Sequence, residues 1–199
     1  MKDNRNGNDK GGVRQRMIRG ATEVLARRGL QATAFSEVLA LTGASRGSIY
    51  HHFPGGKAEL MLAVLEDFSG ALDDALRALH GRPPLAVVEG ALQLWRTKLL
   101  RSDCESGCPV AALTLAADSG RLLADCRAAY AQWQGTLAGA LRAGGWAPDA
   151  ADGFATLMLA AIQGGIVLAR AEGRIEPFDT VAGQLRAQVL ARNGRADAI

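Results

Sequence analysis

A segment of six residues carries side chains that suit contacts with DNA. Arg46, Ser48, Tyr50 and His51 bring together a guanidinium, two hydroxyls and an imidazole. Cationic and hydroxyl groups bind phosphate oxygens, and an arginine can pair with guanine through two parallel hydrogen bonds. The sequence leaves open whether Arg46 binds a guanine or a phosphate. Gly47 lets the backbone approach a groove, packs closely against the preceding helix, or does both. The segment predicts a DNA-reading surface.

A lysine follows this segment at the predicted start of a helix. Lys57 comes directly after the Pro-Gly-Gly break at residues 54–56. Because the free amide groups of a helix N-terminus attract anions, we expect Lys57 to bind a phosphate. A plain surface lysine is the alternative. The adjacent His51 and His52 do not predict a metal site, since successive helical residues point about 100° apart and no third ligand lies nearby. No metal or cofactor is expected.

The three cysteines are Cys104, Cys108 and Cys126. An odd count without an export signal predicts reduced thiols and a cytoplasmic protein. A tetrahedral zinc site is poorly supported, since no histidine follows His80. We therefore expect Cys104 and Cys108 to be small buried or loop residues. A redox-responsive pair, four residues apart, is the alternative.

Large apolar and a few polar side chains recur on the helical faces of the C-terminal half. Most such residues pack a core, but aromatic and methionine side chains with one or two polar anchors also line ligand cavities. Our candidates for a ligand site are Trp95, Cys108, Trp133, Met158 and Gln163.

Two short helices joined by a tight turn are predicted to position the DNA-reading residues. Gly43 suits the left-handed conformation that ends a helix, and Ser45 suits the cap that begins the next one. Ile49 and Phe53 are four residues apart and share one helical face, which leaves the polar side chains on the other faces. This pattern is a helix-turn-helix, whose second helix fits the DNA major groove.

Helical periodicity continues through most of the 199 residues. Apolar residues make up 48% and charged residues 22%, and the abundance of Ala and Leu favours an all-α fold of about nine helices. We predict a disordered tail at 1–12, a helix-turn-helix DNA-binding domain at 13–56, a linking helix at 57–80, and a ligand-binding and dimerisation domain at 81–199.

The charge distribution is uneven. Residues 1–60 hold ten Lys and Arg against five Asp and Glu, and the remaining residues hold thirteen against fifteen. A basic surplus at one end indicates a polyanionic partner for that end. No run of eighteen apolar residues lacks a charged or polar interruption, so no membrane span is expected.

One predicted helix, from Asp149 to Glu172, is apolar on more than one face and rich in small residues. Such a helix must be covered on several sides. Together with the last helix it predicts a four-helix interface in a homodimer. A central helix buried within a monomer is the alternative.

The run TGASRGSIYHHFPGGKAEL at residues 42–60 closely resembles the DNA-binding signature of the TetR family of bacterial repressors. Its most specific part is Tyr-His-His-Phe followed within four residues by Lys. The run CESGCPVAAL at residues 104–113 resembles the LmrA/YxaF-like branch of that family. The resemblance implies a homodimer that binds a short palindromic operator. It also implies release of the operator when a small, largely apolar effector enters the C-terminal domain.

By position in this signature, Arg46, Ser48, Tyr50 and His51 resemble the groove-facing residues, and Lys57 resembles the lysine that meets a phosphate. The chain departs from the family at the start of the first short helix. Ala34 stands where Ser or Thr is usual, so we expect Thr33 or Ser36 to supply the cap.

Two other classes of function remain as alternatives. We find no P-loop, HExxH or GxGxxG sequence, and nothing groups an acid, a base and a nucleophile, so we do not expect an enzyme. The other alternative is a ligand- or redox-sensing helical protein without operator binding.

Overall fold

The computed structural model of the chain describes residues 6–117 and 120–196, with side chains for 12–117 and 120–192. These ranges contain α-helices and no strand, which confirms the all-α prediction. The helices are α1 (Asn6–Ala32), α2 (Phe35–Thr42), α3 (Arg46–His52), α4 (Gly56–Arg77), α5 (Pro84–Arg101), α6 (Pro109–Ala116), α7 (Gly120–Ala143), α8 (Pro148–Glu172) and α9 (Glu176–Ala196).

The chain divides into two compact units. The first comprises Met1–Gly70 with Pro109–Cys126, and the second comprises Ala71–Cys108 with Arg127–Ile199. The boundary predicted between residues 80 and 81 lies ten residues beyond Gly70, where the N-terminal segment of the first unit ends. Helix α4 therefore belongs partly to each unit. Helix α1 begins at Asn6, inside the predicted disordered tail at 1–12.

The first unit is built around α1, which packs against α2, α3 and α6. Small residues allow close approach: a methyl group on Gly20 of α1 would overlap the side chain of Thr42 in α2. Helix α1 is interrupted at Gly29, whose backbone is non-helical (φ 78°, ψ 177°), and a last short stretch follows this kink to Ala32. The fully buried core side chains of this unit include Met17, Leu25, Val38, Ile49, Phe53 and Leu60.

The second unit is built on α5, α8 and α9, which pack on one another. Pro84 stands in the first turn of α5, where its missing amide hydrogen is harmless. Arg96 of α5 donates two hydrogen bonds to Asp179 of α9, at 2.8 and 3.0 Å. Helix α8 is long and apolar enough to span a membrane by length and composition, but its buried face belongs to the core of this unit.

Candidate nucleic-acid interface

The turn between α2 and α3 has the geometry of a helix-turn-helix. Gly43 ends α2 with a φ of 66°, and its amide donates to the carbonyl of Leu39. This left-handed conformation is readily available to glycine alone. Ser45 then caps α3, because its hydroxyl oxygen accepts a 3.2 Å hydrogen bond from the Ser48 amide. Both local predictions are confirmed.

Helix α3 has one buried and one exposed side. Ile49 and the Phe53 that follows the helix are completely buried, so they fix the rotation of α3 on the unit. Arg46, Tyr50 and His51 are exposed, whereas Ser48 is half-buried. Three of the predicted DNA-reading residues of α3 are therefore exposed to solvent, and the fourth, Ser48, lies at the edge of the buried side.

Gly47 lies at the open side of the same helix. A methyl group built at its Cα would meet no atom within 4 Å. Close packing on the preceding helix, one of the two explanations offered by the sequence, is therefore wrong. An exposed position without a side chain leaves room for another molecule to approach the α3 backbone.

Aromatic contacts hold the exposed side chains in place. The Tyr50 ring is 60% exposed and meets the Phe35 ring edge to face, with 5.5 Å between centroids. Phe35 thus acts as a support for Tyr50, whose hydroxyl is free to reach outward. The His51 and His52 rings also meet edge to face, at 5.1 Å.

Lys57 lies in the first turn of α4, as predicted, but its side chain has a partner within the protein. Its Nζ donates a 2.6 Å hydrogen bond to the carbonyl of Leu30, near the end of α1. An ammonium group has three N–H donors. The contact therefore ties α4 to α1 and leaves two donors for a phosphate.

The first turn of α2 lacks the predicted cap. Ala34 occupies the N-cap position without a side-chain hydrogen bond, and Thr33 donates instead to the carbonyl of Gly29. The prediction that Thr33 or Ser36 caps α2 is therefore wrong: no side chain caps this helix, and the Thr33 hydroxyl satisfies a carbonyl at the kink of α1. Glu37 in this first turn pairs with Arg28 at 2.8 Å.

One match that we did not anticipate from the sequence lies in the same turn. Residues 43–47 read Gly-Ala-Ser-Arg-Gly, the spacing of the nucleophile elbow of α/β-hydrolases. That elbow joins a strand to a helix, whereas this segment joins two helices. The Ser45 hydroxyl also caps α3. The context therefore favours a helix-turn-helix over a catalytic serine.

Two of the predicted ligand-site residues lie near a half-buried lysine in the second unit. Trp95 and Cys108 are buried, and the Lys98 ammonium lies 5.5 Å from the centre of the Trp95 ring. Burial lowers the pKa of Lys98 to about 8, and the smaller electrostatic effect of Cys108 raises it. We did not anticipate Lys98 from the sequence, because a lysine in a helical pattern reads as a surface residue.

The other candidates occupy different surroundings. Trp133 and Met158 are completely buried, and Trp133 meets the Tyr130 ring edge to face at 5.2 Å. The buried Gln163 Nε2 has no hydrogen-bond partner among the described atoms. An unsatisfied buried amide is costly unless a further group binds it. Gln163 therefore stays a candidate for binding a polar group.

A groove of about 560 Å³ in the second unit is lined by other residues: Arg77, His80, Ala131, Gln132, Gly135, Thr136 and Gly139. Beside it, the buried Asp73 accepts hydrogen bonds of 2.6 Å from Arg77, 2.7 Å from Gln132 and 2.6 Å from Thr136. Burial raises the pKa of Asp73, but these three bonds outweigh it and hold the pKa below its usual value. This network fastens the C-terminal half of α4 to α7.

A capped glycine turn between two short helices, with an exposed polar face on the second, defines a helix-turn-helix protein of the DNA-binding class. Comparison with known proteins extends this assignment. Residues 17–64 match the family model of bacterial regulatory proteins of the TetR family, and residues 84–184 match that of the LmrA/YxaF-like transcriptional regulator C-terminal domain. The chain belongs to the TetR family of transcriptional regulators, in its LmrA/YxaF-like branch.

Relatives agree with this assignment, and a solved structure has the same fold. An HTH-type transcriptional regulator of Mycobacterium tuberculosis is 35% identical over 187 residues, which cover 90% of this chain and 95% of that protein. LmrA of Bacillus subtilis, also an HTH-type transcriptional regulator, is 26% identical over 79% of this chain and 86% of LmrA. The regulatory protein TetR from Rhodobacter sphaeroides has the same fold, with a TM-score of 0.78 at 24% identity. The match covers 88% of this chain and 97% of that structure.

Proposed function

We propose that this regulator is a homodimeric repressor that binds a palindromic operator through α3 and releases it when a small effector binds the second unit. The observation that carries the proposal is the exposed polar face of α3, held by the buried Ile49 and the Ser45 cap. A seven-residue helix rotated in this way can enter the major groove with its polar face toward the bases.

The exposed residues of α3 have separate roles in this proposal. Arg46, in the first turn, binds a guanine edge or a phosphate, and Ser48 makes a small polar contact with the DNA. Gly47 allows the α3 backbone to come close to the groove. Tyr50, supported by Phe35, directs its hydroxyl toward a phosphate, and His51 contacts the groove or a phosphate. Lys57 uses its remaining N–H donors on the phosphate backbone.

Dimerisation through α8 and α9 is supported by an exposed apolar stripe. Leu157, Val167 and Leu168 of α8 are 44%, 65% and 50% exposed. Ala160 and Gly164 lie between them on the exposed side and provide only small side chains. This uncovered face of α8 supports the dimer interface over a central helix buried on all sides within a monomer. A second copy that covers the stripe would bury it and pair the two recognition helices.

Effector release follows from population shift. The dimer must have one state with the recognition helices about one turn of DNA apart, roughly 34 Å, and another state with a different spacing. An effector dissociates the complex only if it binds the second state more tightly. Trp95, Cys108, Trp133, Met158 and Gln163, all in the second unit, are our candidates to bind a largely apolar effector.

Operator binding by Arg46→Ala tests the proposal. Arg101→Ala is the matched control, since Arg101 is another exposed arginine but lies in the second unit. Operator fragments are recovered by selection from genomic DNA and titrated by fluorescence anisotropy. We expect Arg46→Ala to weaken binding by about 1–3 kcal/mol if the side chain pairs with guanine. If Arg46 pairs with guanine, the loss of affinity caused by Arg46→Ala disappears on operators in which that base pair is changed. If Arg46 binds a phosphate, the loss is the same on every operator sequence. Equal affinities for wild type and Arg46→Ala would refute the role of Arg46.

A further inference from the structure

One arginine of the first unit lies on an aromatic ring beside the end of α3. The guanidinium carbon of Arg14 is 5.2 Å from the centre of the Phe53 ring, which is within the range of a cation–π contact. Phe53 directly follows α3. Its carbonyl accepts a 2.9 Å hydrogen bond from the amide of Gly56, where α4 begins. Arg14 therefore lies at the junction between α3 and α4.

The position of Arg14 on α1 brings it to this junction. Residues three and four apart share one face of a helix, and steps of this kind lead from Arg14 to Ile18 and Ala21, which are buried in the core. Arg14 continues this core-facing stripe one turn beyond the core, where it is exposed. Arg16 is also exposed, but it lies about 200° further round the helix. Arg16 is therefore on the opposite side of α1.

In the described part of the chain, the charge of Arg14 is not taken up by a carboxylate. The ion pairs of α1 lie at its other end, where Arg27 meets Glu23 at 3.5 Å. Arg28 similarly meets Glu37 at 2.8 Å. A guanidinium that stacks on a ring uses its face and keeps the N–H donors along its edge, which match phosphate oxygens in pairs. Arg14 thus carries donors that suit a phosphate.

We propose that Arg14 binds a DNA phosphate beside each half of the operator. This inference rests on the proposed function, because it adds a contact to the same interface. A helix of seven residues is about 10 Å long, and the major groove is about 12 Å wide. A side chain just beyond an end of α3 is therefore within an arginine's reach of the phosphates that border the groove. Because the guanidinium already lies on the Phe53 ring, little side-chain freedom is lost when it binds.

The variant Arg14→Met separates the charge from the packing. Methionine keeps an apolar side chain on the Phe53 ring through a sulfur–aromatic contact, so we expect the variant to fold and to unfold at the wild-type temperature. Its operator affinity, titrated by fluorescence anisotropy with the full-length protein, should fall less steeply with salt. Each phosphate contact adds about 0.9 to the slope of log affinity against log salt. Between about 50 and 200 mM salt, the wild type should therefore lose about 3.5-fold more affinity than Arg14→Met for each contact removed.

Three further variants serve as controls. Arg16→Met removes an equal charge from the opposite side of α1 and should leave the slope unchanged. Arg14→Lys keeps a charge and should retain most of the slope, although it lacks the paired donors. Arg14→Gln also removes the charge, and it takes the place of Arg14→Met in every titration if the methionine variant does not fold.

Operators with one neutral methylphosphonate, moved stepwise along each strand, locate the contact. We expect one position beside each half of the operator to weaken binding by the wild type but not by Arg14→Met.

The inference is overturned if Arg14→Met has the wild-type slope, or if Arg16→Met lowers the slope as much. It is equally overturned if no methylphosphonate position distinguishes the wild type from Arg14→Met. In each of these cases the proposed function stands as long as Arg46→Ala still weakens operator binding. If the wild-type protein binds no operator, the proposed function and this inference fail together.

Discussion

Gly47 allows the fold and the proposed DNA contact to be perturbed separately. It lies in the first turn of α3, is exposed, and has no atom within 4 Å of the position that a Cβ would occupy. An added methyl group therefore causes no clash in the free protein. Because alanine forms helices better than glycine, Gly47→Ala should raise the free energy of unfolding by about 0.5–1 kcal/mol. For a chain of this size, that corresponds to roughly 1–4 °C in Tm.

The same change should weaken DNA binding. In the proposed complex the α3 backbone approaches the groove at Gly47, so a side chain there separates Arg46 and its neighbours from the DNA. We expect a graded loss, small for Gly47→Ala and at least tenfold, or about 1.4 kcal/mol, for Gly47→Leu. Thermal unfolding and operator titration, run on the same protein samples, give the two quantities.

Gly70→Ala is the matched control for this experiment. Gly70 also has open space around its Cα, but it lies fourteen residues beyond the start of α4, about 21 Å along the helix. It should stabilise the protein without affecting operator affinity. If Gly47→Leu unfolds the protein, or if it binds the operator as tightly as the wild type, the proposed approach of α3 to DNA is refuted.

Four further predictions concern the core, the network around α4, the phosphate contact and the dimer. Ile49→Ala should lower the free energy of unfolding by about 2–5 kcal/mol in urea, because Ile49 is completely buried; a smaller loss would show that α3 is loosely held. Asp73→Ala should cost about 2–4 kcal/mol at pH 7, because three donors lose their acceptor. Since the pKa of Asp73 is lowered in the folded state, this difference is present above about pH 4 and should shrink below it; a constant difference down to pH 3 would contradict the assignment. Lys57→Met should reduce the salt dependence of operator binding by about one unit of slope, whereas an unchanged slope would leave Lys57 only its contact with Leu30. Val167→Glu should convert the proposed dimer to monomers in light scattering, because it places a charge in the exposed stripe of α8; a dimer that persists would place the interface elsewhere.

The local parts of the interface could be predicted from the sequence because they depend on neighbouring residues. A left-handed glycine at 43, a capping hydroxyl at Ser45, and the apolar pair Ile49 and Phe53 are fixed within one or two helical turns. The sequence shows that Ala34 cannot cap α2, but not that the cap is missing altogether, because the Thr33 hydroxyl bonds to a carbonyl at the kink of α1.

Features that depend on long-range packing could not be predicted. Helix α6 groups with the first unit because it packs on α1, although about eighty residues separate the two helices. The desolvation of Lys98, the buried Asp73 network and the groove beside it likewise arise only when distant helices meet. A pattern of apolar residues indicates which face of a helix is buried, but not which helix covers it.

In the proposed complex, two copies of α3 read DNA together. Selection of bound fragments from a genomic library at low ionic strength, followed by footprinting of the recovered sequences, tests this arrangement. We expect an inverted repeat whose half-sites are protected on the same face of the duplex, with centres about 34 Å or a whole number of turns apart. Recovery of no enriched sequence, or of a site without two-fold symmetry, would contradict it.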